Sequence, residues 1–128
     1  MSYLIDTNVV IYYFNGLTAD DNLHEVLKND FRISVITKIE FLGWSEFGVN
    51  RALYNKAKAF IRHATVYDLT ARVAEQTIRL RQQYRTKTPD AIIAATALLN
   101  RLTVVTHNTD DFSRLGAKTL AVTMKSDS

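Results

Sequence analysis

Near the start of the chain, Tyr3-Leu4-Ile5 runs without a break into Asp6-Thr7-Asn8, and apolar residues resume at Val9-Val10-Ile11. A continuous apolar run this short reads as a strand buried on both faces, as in parallel sheets. Asp, Thr and Asn are poor strand formers and good helix caps, so the strand should end at Asp6 and a helix begin within a residue or two. That places a carboxylate at the carboxyl end of a central strand, where open α/β sheets bind their ligands. The competing reading makes Asp6 a cap or turn residue and nothing more.

The rest of the chain repeats the alternation. Val9–Phe14 continues as a helix ended by Asn15-Gly16, and Thr18–Asp21 offers caps for a second helix to about Asn29. Phe31–Ile36 contains the second strand, with Ile33 and Val35 expected in the core, and Thr37 opens a third helix that Gly43 and Gly48 weaken toward its end. Asn50 caps a helix over Arg51–His63, Thr65–Tyr67 is a short strand, and Thr70 caps a helix to about Tyr84. After the polar connection Arg85–Thr88, Pro89 stands at the start of a nearly all-apolar helix through Asn100. Thr103–Thr106 is a strand, Asp110–Leu115 a turn or short helix, Lys118–Val122 an edge strand, and Met124–Ser128 a frayed tail. Strands alternating with helices through short connections predict a three-layer α/β domain with a central, mostly parallel sheet flanked by helices. It should span residues 1–123, with 124–128 as a polar tail.

Composition narrows the chemistry. The 128 residues contain no cysteine, which excludes disulfides, a thiol nucleophile and cysteine-ligated zinc. Sixteen Lys and Arg against thirteen Asp and Glu give a net charge of +3, which permits a polyanionic partner without requiring one. The apolar stretches are too short to span a bilayer, so the expectation is a cytoplasmic protein that makes no use of a membrane.

The acids are distributed in a pattern. Asp6 ends the first strand, Glu40 lies just inside the helix after the second, Asp90 heads the apolar helix, and Asp110-Asp111 follow Thr103–Thr106. All of these places lie at or near the carboxyl edge of a parallel sheet. Each acid has a structural alternative: Thr37-Lys38-Ile39-Glu40 fits a capping box, Asp90 suits a helix dipole, and Asp110 and Asp111 suit a turn. Four such alternatives would have to put acids on one edge by coincidence. Carboxylates gathered together repel and raise one another's pKa, a cost that a divalent cation removes. Grouped oxygen ligands without cysteine favour Mg²⁺ or Mn²⁺.

Leu4-Ile5-Asp6-Thr7-Asn8, Ile39-Glu40, Pro89-Asp90-Ala91-Ile92-Ile93-Ala94-Ala95-Thr96-Ala97 and Val105-Thr106-His107-Asn108-Thr109-Asp110-Asp111-Phe112, in that order, resemble a PIN domain, in particular the small toxins of VapC type. The resemblance implies a Mg²⁺- or Mn²⁺-dependent ribonuclease and a small antitoxin partner, and a homodimer is expected. It carries the catalytic and metal-holding roles to Asp6, Glu40, Asp90 and Asp111, with Asp110 as the rival fourth acid. Asp6 and Asp90 would be the principal ligands, while Thr7, Asn108 and Thr106 would steady the site. His107 is a variable flank to which a proton-transfer role stays open.

Arg79, Arg81, Arg85 and Lys87 lead into Asp90 and are candidates for RNA phosphates, against the alternative of a solvated helix face. Tyr13, Phe41 and Trp44 are candidate anchors for the antitoxin, in a groove walled by Val9–Phe14 and the helix opened by Thr37; the alternative makes them plain core or a homodimer contact. A haloacid-dehalogenase-like phosphatase needs a second acid where Asn8 stands, and a receiver domain needs paired acids where Asp6-Thr7 stands. The remaining rivals are a PIN fold that binds RNA or protein without cutting, and a housekeeping PIN nuclease with no antitoxin.

Overall fold

The computed structural model describes residues 1–18 and 20–124. Five strands alternate with eight helices among these residues. β1 (Tyr3–Ile5) leads into α1 (Thr7–Phe14) and α2 (Asp21–Asn29); β2 (Arg32–Ser34) leads into α3 (Val35–Leu42), α4 (Glu46–Val49) and α5 (Arg51–Ile61). β3 (Thr65–Tyr67) is followed by α6 (Ala71–Gln83) and α7 (Thr88–Asn100), and β4 (Thr103–Thr106) by α8 (Thr109–Ser113) and β5 (Thr119–Ala121).

Every strand pairing is parallel: β1 with β4, β4 with β5, and β2 with β3. The three-stranded ladder β1-β4-β5 lies beside the pair β2-β3, with β1 next to β2. Alternating residues of the central strands face opposite layers, as a two-residue side-chain period requires. Leu4 and Val104 pack with α6 and α7 through Val73, Leu80, Ile93 and Ala97. Ile5 and Val105 pack with the other helical layer through Val9, Leu27, Phe41 and Ile61. Helix α7 is buried from Ala91 through Ala97, in accord with its apolar run. The result is the expected three-layer α/β arrangement, with β5 at an edge. No helix among the described residues is long and apolar enough to cross a membrane.

The helix starts are mostly those expected. Asp20, Asn50 and Thr70 each accept backbone N–H groups through their side chains, and α1 ends at Asn15 ahead of Gly16, whose φ of 71° is a left-handed turn suited to glycine.

Three expectations need correction. Helix α3 begins at Val35, two residues before Thr37, because the Ser34 hydroxyl accepts from the Ile36 N–H and caps it. Val35 is therefore a half-buried helix residue rather than a core strand residue. The stretch beyond Gly43 holds an additional short helix, α4, which brings Phe47 into the core. Met124, assigned to the tail, forms an antiparallel bridge with Thr18; residues 125–128 lie outside the described residues.

Candidate functional site

Because β1 and β4 run parallel and in register, with Ile5 opposite Val105, their carboxyl ends deliver Asp6 and Thr106 to the same place. Asp6 adds one more rung to the ladder by donating its N–H to the Val105 carbonyl at 3.0 Å. Its backbone carbonyl accepts from Val9 and Val10 at the head of α1, yet its side chain makes no capping hydrogen bond. The carboxylate turns instead to Thr106, whose hydroxyl donates to Asp6 Oδ2 at 2.8 Å. Thr106 Oγ1 in turn accepts the Asn108 N–H at 3.0 Å, so that one hydroxyl joins the strand-end acid to the turn before α8.

Asp6 is 4% exposed. Burial pushes its carboxyl from an ordinary 3.8 up to about 6; Asp90 and Glu40 push the same way, against hydrogen bonds from Thr106 and the Thr7 backbone. Asp90, in the first turn of α7, is also raised, first by burial and then by Asp111 and Glu40, while Lys87 and Arg114 oppose the shift. Mutual repulsion thus links all four acids.

Asp6, Glu40, Asp90 and Asp111 line one cavity of about 720 Å³ together with Thr7, Asn108, Arg85, Lys87 and Arg114. Asp110 is not among its lining residues, although it is adjacent in sequence. Glu40 stands in the last turn of α3, not just inside its start, because that helix begins at Val35. The capping-box alternative for Glu40 is thereby removed. Its Oε1 accepts the Thr7 hydroxyl at 3.0 Å, and Thr7 Oγ1 lies 2.9 Å from Thr37 Oγ1.

The donors on the acidic wall are oxygens, a set suited to a hard divalent cation. Among the described residues, no three acidic or histidine side chains stand close enough to enclose an ion by themselves. Mg²⁺ is commonly bound through only one or two carboxylates, with waters and substrate phosphate filling the other positions, and so does not require such a group.

The basic candidates divide. Arg85 and Lys87 line the cavity, Arg81 lines a separate groove with Leu69, Ile78 and Ile92, and Arg79 lines neither. Arg114 was not foreseen. It stands just after α8, donates to the Arg85 carbonyl at 2.6 Å and lines the cavity beside Asp90. The sequence signal for it was weak: a basic residue three positions after Asp111 becomes informative only once the short helix folds both to the same side.

The aromatic candidates divide as well. Phe41 and Trp44 line an apolar groove of about 320 Å³ with Ile11, Phe14 and Phe47. Ile11 and Glu40 line both this groove and the acidic cavity, so the two adjoin. Trp44 is 49% exposed, whereas Phe41 is buried at the floor. Tyr13 faces away from this groove: its hydroxyl bonds His24 Nδ1 at 2.7 Å and its ring stacks on Phe60, beside a different depression. His107 is not among the cavity's lining residues; its Nδ1 bonds the Val122 carbonyl at 3.1 Å and its ring lies against Tyr12.

Comparison with known proteins places this geometry. No curated protein matches the chain. Among solved structures, a chain of a toxin–antitoxin complex from Klebsiella pneumoniae is 31% identical, with 88% of this chain and 91% of that one covered and a TM-score of 0.71. Chains of VapBC2 from Rickettsia felis bound to a promoter DNA fragment (24% identity, 95% and 99% coverage, TM-score 0.80) and of DNA-bound VapBC from Salmonella typhimurium (23% identity, 94% and 98% coverage, TM-score 0.82) share the fold. The family model described as PIN domain matches residues 3–118, nearly the whole of the described fold, and the chain belongs to the PIN domain family.

Proposed function

We propose that the chain is a metal-dependent endoribonuclease, the toxin of a toxin–antitoxin pair, acting in the cytoplasm as a single-domain protein that pairs as a homodimer. The observation that carries the catalytic reading is the wall of Asp6, Glu40, Asp90 and Asp111 on one cavity, with a buried Asp6 whose carboxyl caps nothing. Membership of the PIN family and the toxin–antitoxin complexes among its structural relatives support the biological setting.

Asp6 and Asp90 would hold Mg²⁺ or Mn²⁺, with Glu40 and Asp111 as further ligands or as acceptors that orient water. A bound ion supplies an acidified water and neutralises charge on the phosphodiester as it is cut. Thr106 fixes the rotamer of Asp6 and Thr7 that of Glu40, through the bonds described above. Arg85, Lys87 and Arg114, on the cavity wall with the acids, offset their charge and receive RNA phosphates.

The groove of Ile11, Phe14, Phe41, Trp44 and Phe47 is the seat of the antitoxin, with Trp44 as the exposed anchor. Because the groove adjoins the acidic cavity, an arginine of the partner can reach across to pair directly with Asp6 or Asp90 and block the site.

The test is cleavage of a panel of single-stranded RNAs with Mg²⁺ or Mn²⁺. Asp6→Asn and Asp90→Asn should each abolish cutting with the fold intact. Equal cutting in excess chelator refutes the metal assignment, and binding of RNA without cutting under every metal condition leaves a non-catalytic binding module. Native protein that is active, partner-free and harmless when overproduced is a housekeeping nuclease instead. Light scattering of the purified chain tests the dimer.

A further inference from the structure

Four threonines on the described helices are buried, Thr7, Thr37, Thr77 and Thr96; Thr7 lines the acidic cavity, and the other three keep their hydroxyls among packed side chains. Two of them behave as buried helical threonines commonly do. Thr77 and Thr96 donate to the carbonyls of Val73 and Ile92, four residues back, at 2.7 Å each. Thr37, with no exposed surface, spends its hydroxyl across the seam between α3 and α1, on Thr7 Oγ1 at 2.9 Å.

The direction of that bond follows from proton arithmetic. A hydroxyl carries one proton and two lone pairs. Thr7 gives its proton to the carboxylate of Glu40, which in its ionised form can only accept. Toward Thr37, Thr7 must therefore accept, and Thr37 must donate. The chain of bonds runs one way, from Thr37 to Thr7 to Glu40 Oε1. Accepting from Thr37 also fixes the Thr7 hydroxyl rotor, and bonds in series polarise one another.

We infer that Thr37 is a positioning residue for the acidic site: through Thr7 it orients the carboxylate of Glu40 toward the cavity that Asp6 and Asp90 share. This rests on the proposed metal-binding role of Glu40. An exposed carboxylate in the last turn of a helix has many rotamers open to it, and a buried donor two bonds away restricts them. Partners of this kind typically change metal affinity by about ten- to a hundredfold.

The experiment titrates Mn²⁺ into the metal-free full chain by calorimetry and measures urea stability alongside. Thr37→Val should weaken Mn²⁺ binding by about tenfold or more, whereas Thr37→Ser should bind as the unaltered chain does. Thr96→Val removes an equally buried hydroxyl whose bond stays within its own helix, so it should lose stability while holding Mn²⁺ unchanged. In a Glu40→Ala background, Thr37→Val should weaken Mn²⁺ no further. The inference is overturned if Thr37→Val binds Mn²⁺ as tightly as Thr96→Val, or if its loss is the same with and without Glu40. Should Thr37→Val fail to fold, Thr37→Cys, a weak donor of similar size, takes its place and is held to the same two comparisons. An unaltered chain that binds no Mn²⁺ removes the metal reading of the site and the inference with it, and is told apart from the other failures by that first titration.

Discussion

Asp6→Asn should make the metal-free protein more stable, by an amount that depends on pH in a defined way. The native carboxyl titrates at about 6 instead of its ordinary 3.8, chiefly because it is buried. A folded-state pKa above the unfolded one means that the unfolded chain ionises first as pH rises. The resulting penalty is absent below 3.8, grows between 3.8 and about 6, and is complete above that. Converted to free energy, the full penalty is about 3 kcal/mol. Asparagine is nearly isosteric and its carbonyl oxygen can still accept the Thr106 hydroxyl, so substitution relieves the penalty without opening a cavity. At pH 8 in chelator, Asp6→Asn should therefore gain on the order of 1–3 kcal/mol, equivalent to a rise in Tm of roughly 5–10 °C. At pH 4 the gain should vanish. Urea unfolding of both proteins from pH 4 to pH 8 measures it. A variant less stable at pH 8, or a difference that does not change with pH, refutes the burial argument. Excess Mg²⁺ should reverse the order, because an ion that binds only the folded unaltered chain stabilises that chain alone.

Asp90→Asn should also gain metal-free stability at neutral pH, since burial and the neighbouring acids raise its pKa, and urea unfolding in chelator checks the sign. Glu40→Gln should lose far more RNA cleavage than stability; turnover near that of the unaltered chain would leave Glu40 without a role at the metal. Replacing Arg85, Lys87 or Arg114 singly by Gln should reduce the slope of log affinity against log salt for single-stranded RNA by about 0.7 each, while Arg79→Gln, outside the cavity, should leave the slope unchanged. Trp44→Ala should weaken the antitoxin complex by about 2 kcal/mol or more with the chain still folded, whereas Tyr13→Phe should leave the complex intact, which a pull-down with the cognate partner resolves.

Periodicity and caps made most of the architecture legible. Where a side chain performs the capping that its type favours, as at Asp20, Asn50 and Thr70, the helix starts where expected. The failure at α3 has the same cause in reverse. Ser34 and Thr37 are both competent caps three residues apart, and the apolar Val35-Ile36 between them suits a strand as well as a helix. The structure takes Ser34, whose hydroxyl caps the helix, and Thr37 then sits buried against Thr7. In the site, the acids could be read because their places relative to strand ends are topological facts. The division of the basic run could not: Arg79, Arg81 and Arg85 point apart according to rotation about α6 and the path of the connection after it, which sequence spacing alone does not set.

Correcting α3 also changes the weight of the four acids taken together. In isolation each had a structural occupation that competed with a chemical one. Asp6 stands at an N-cap and caps nothing. Glu40 has lost its capping box and sits in the last turn of α3, where the partial negative charge of the helix end disfavours a carboxylate by roughly 0.3–1 kcal/mol. Asp90 keeps a favourable place in the first turn of α7, yet its pKa is raised, so the dipole does not offset its burial and its acidic neighbours. Asp111 shares the first turn of α8 with Asp110, and either would serve that helix end; Asp111 is the one whose charge acts on Asp90. Stability by itself would disperse such a set, since burial and like charge make Asp6 and Asp90 costly to ionise in the metal-free fold. A divalent cation bound at this wall, as proposed above, would turn that repulsion into attraction, and this reversal is the physical reason to propose the chemistry there.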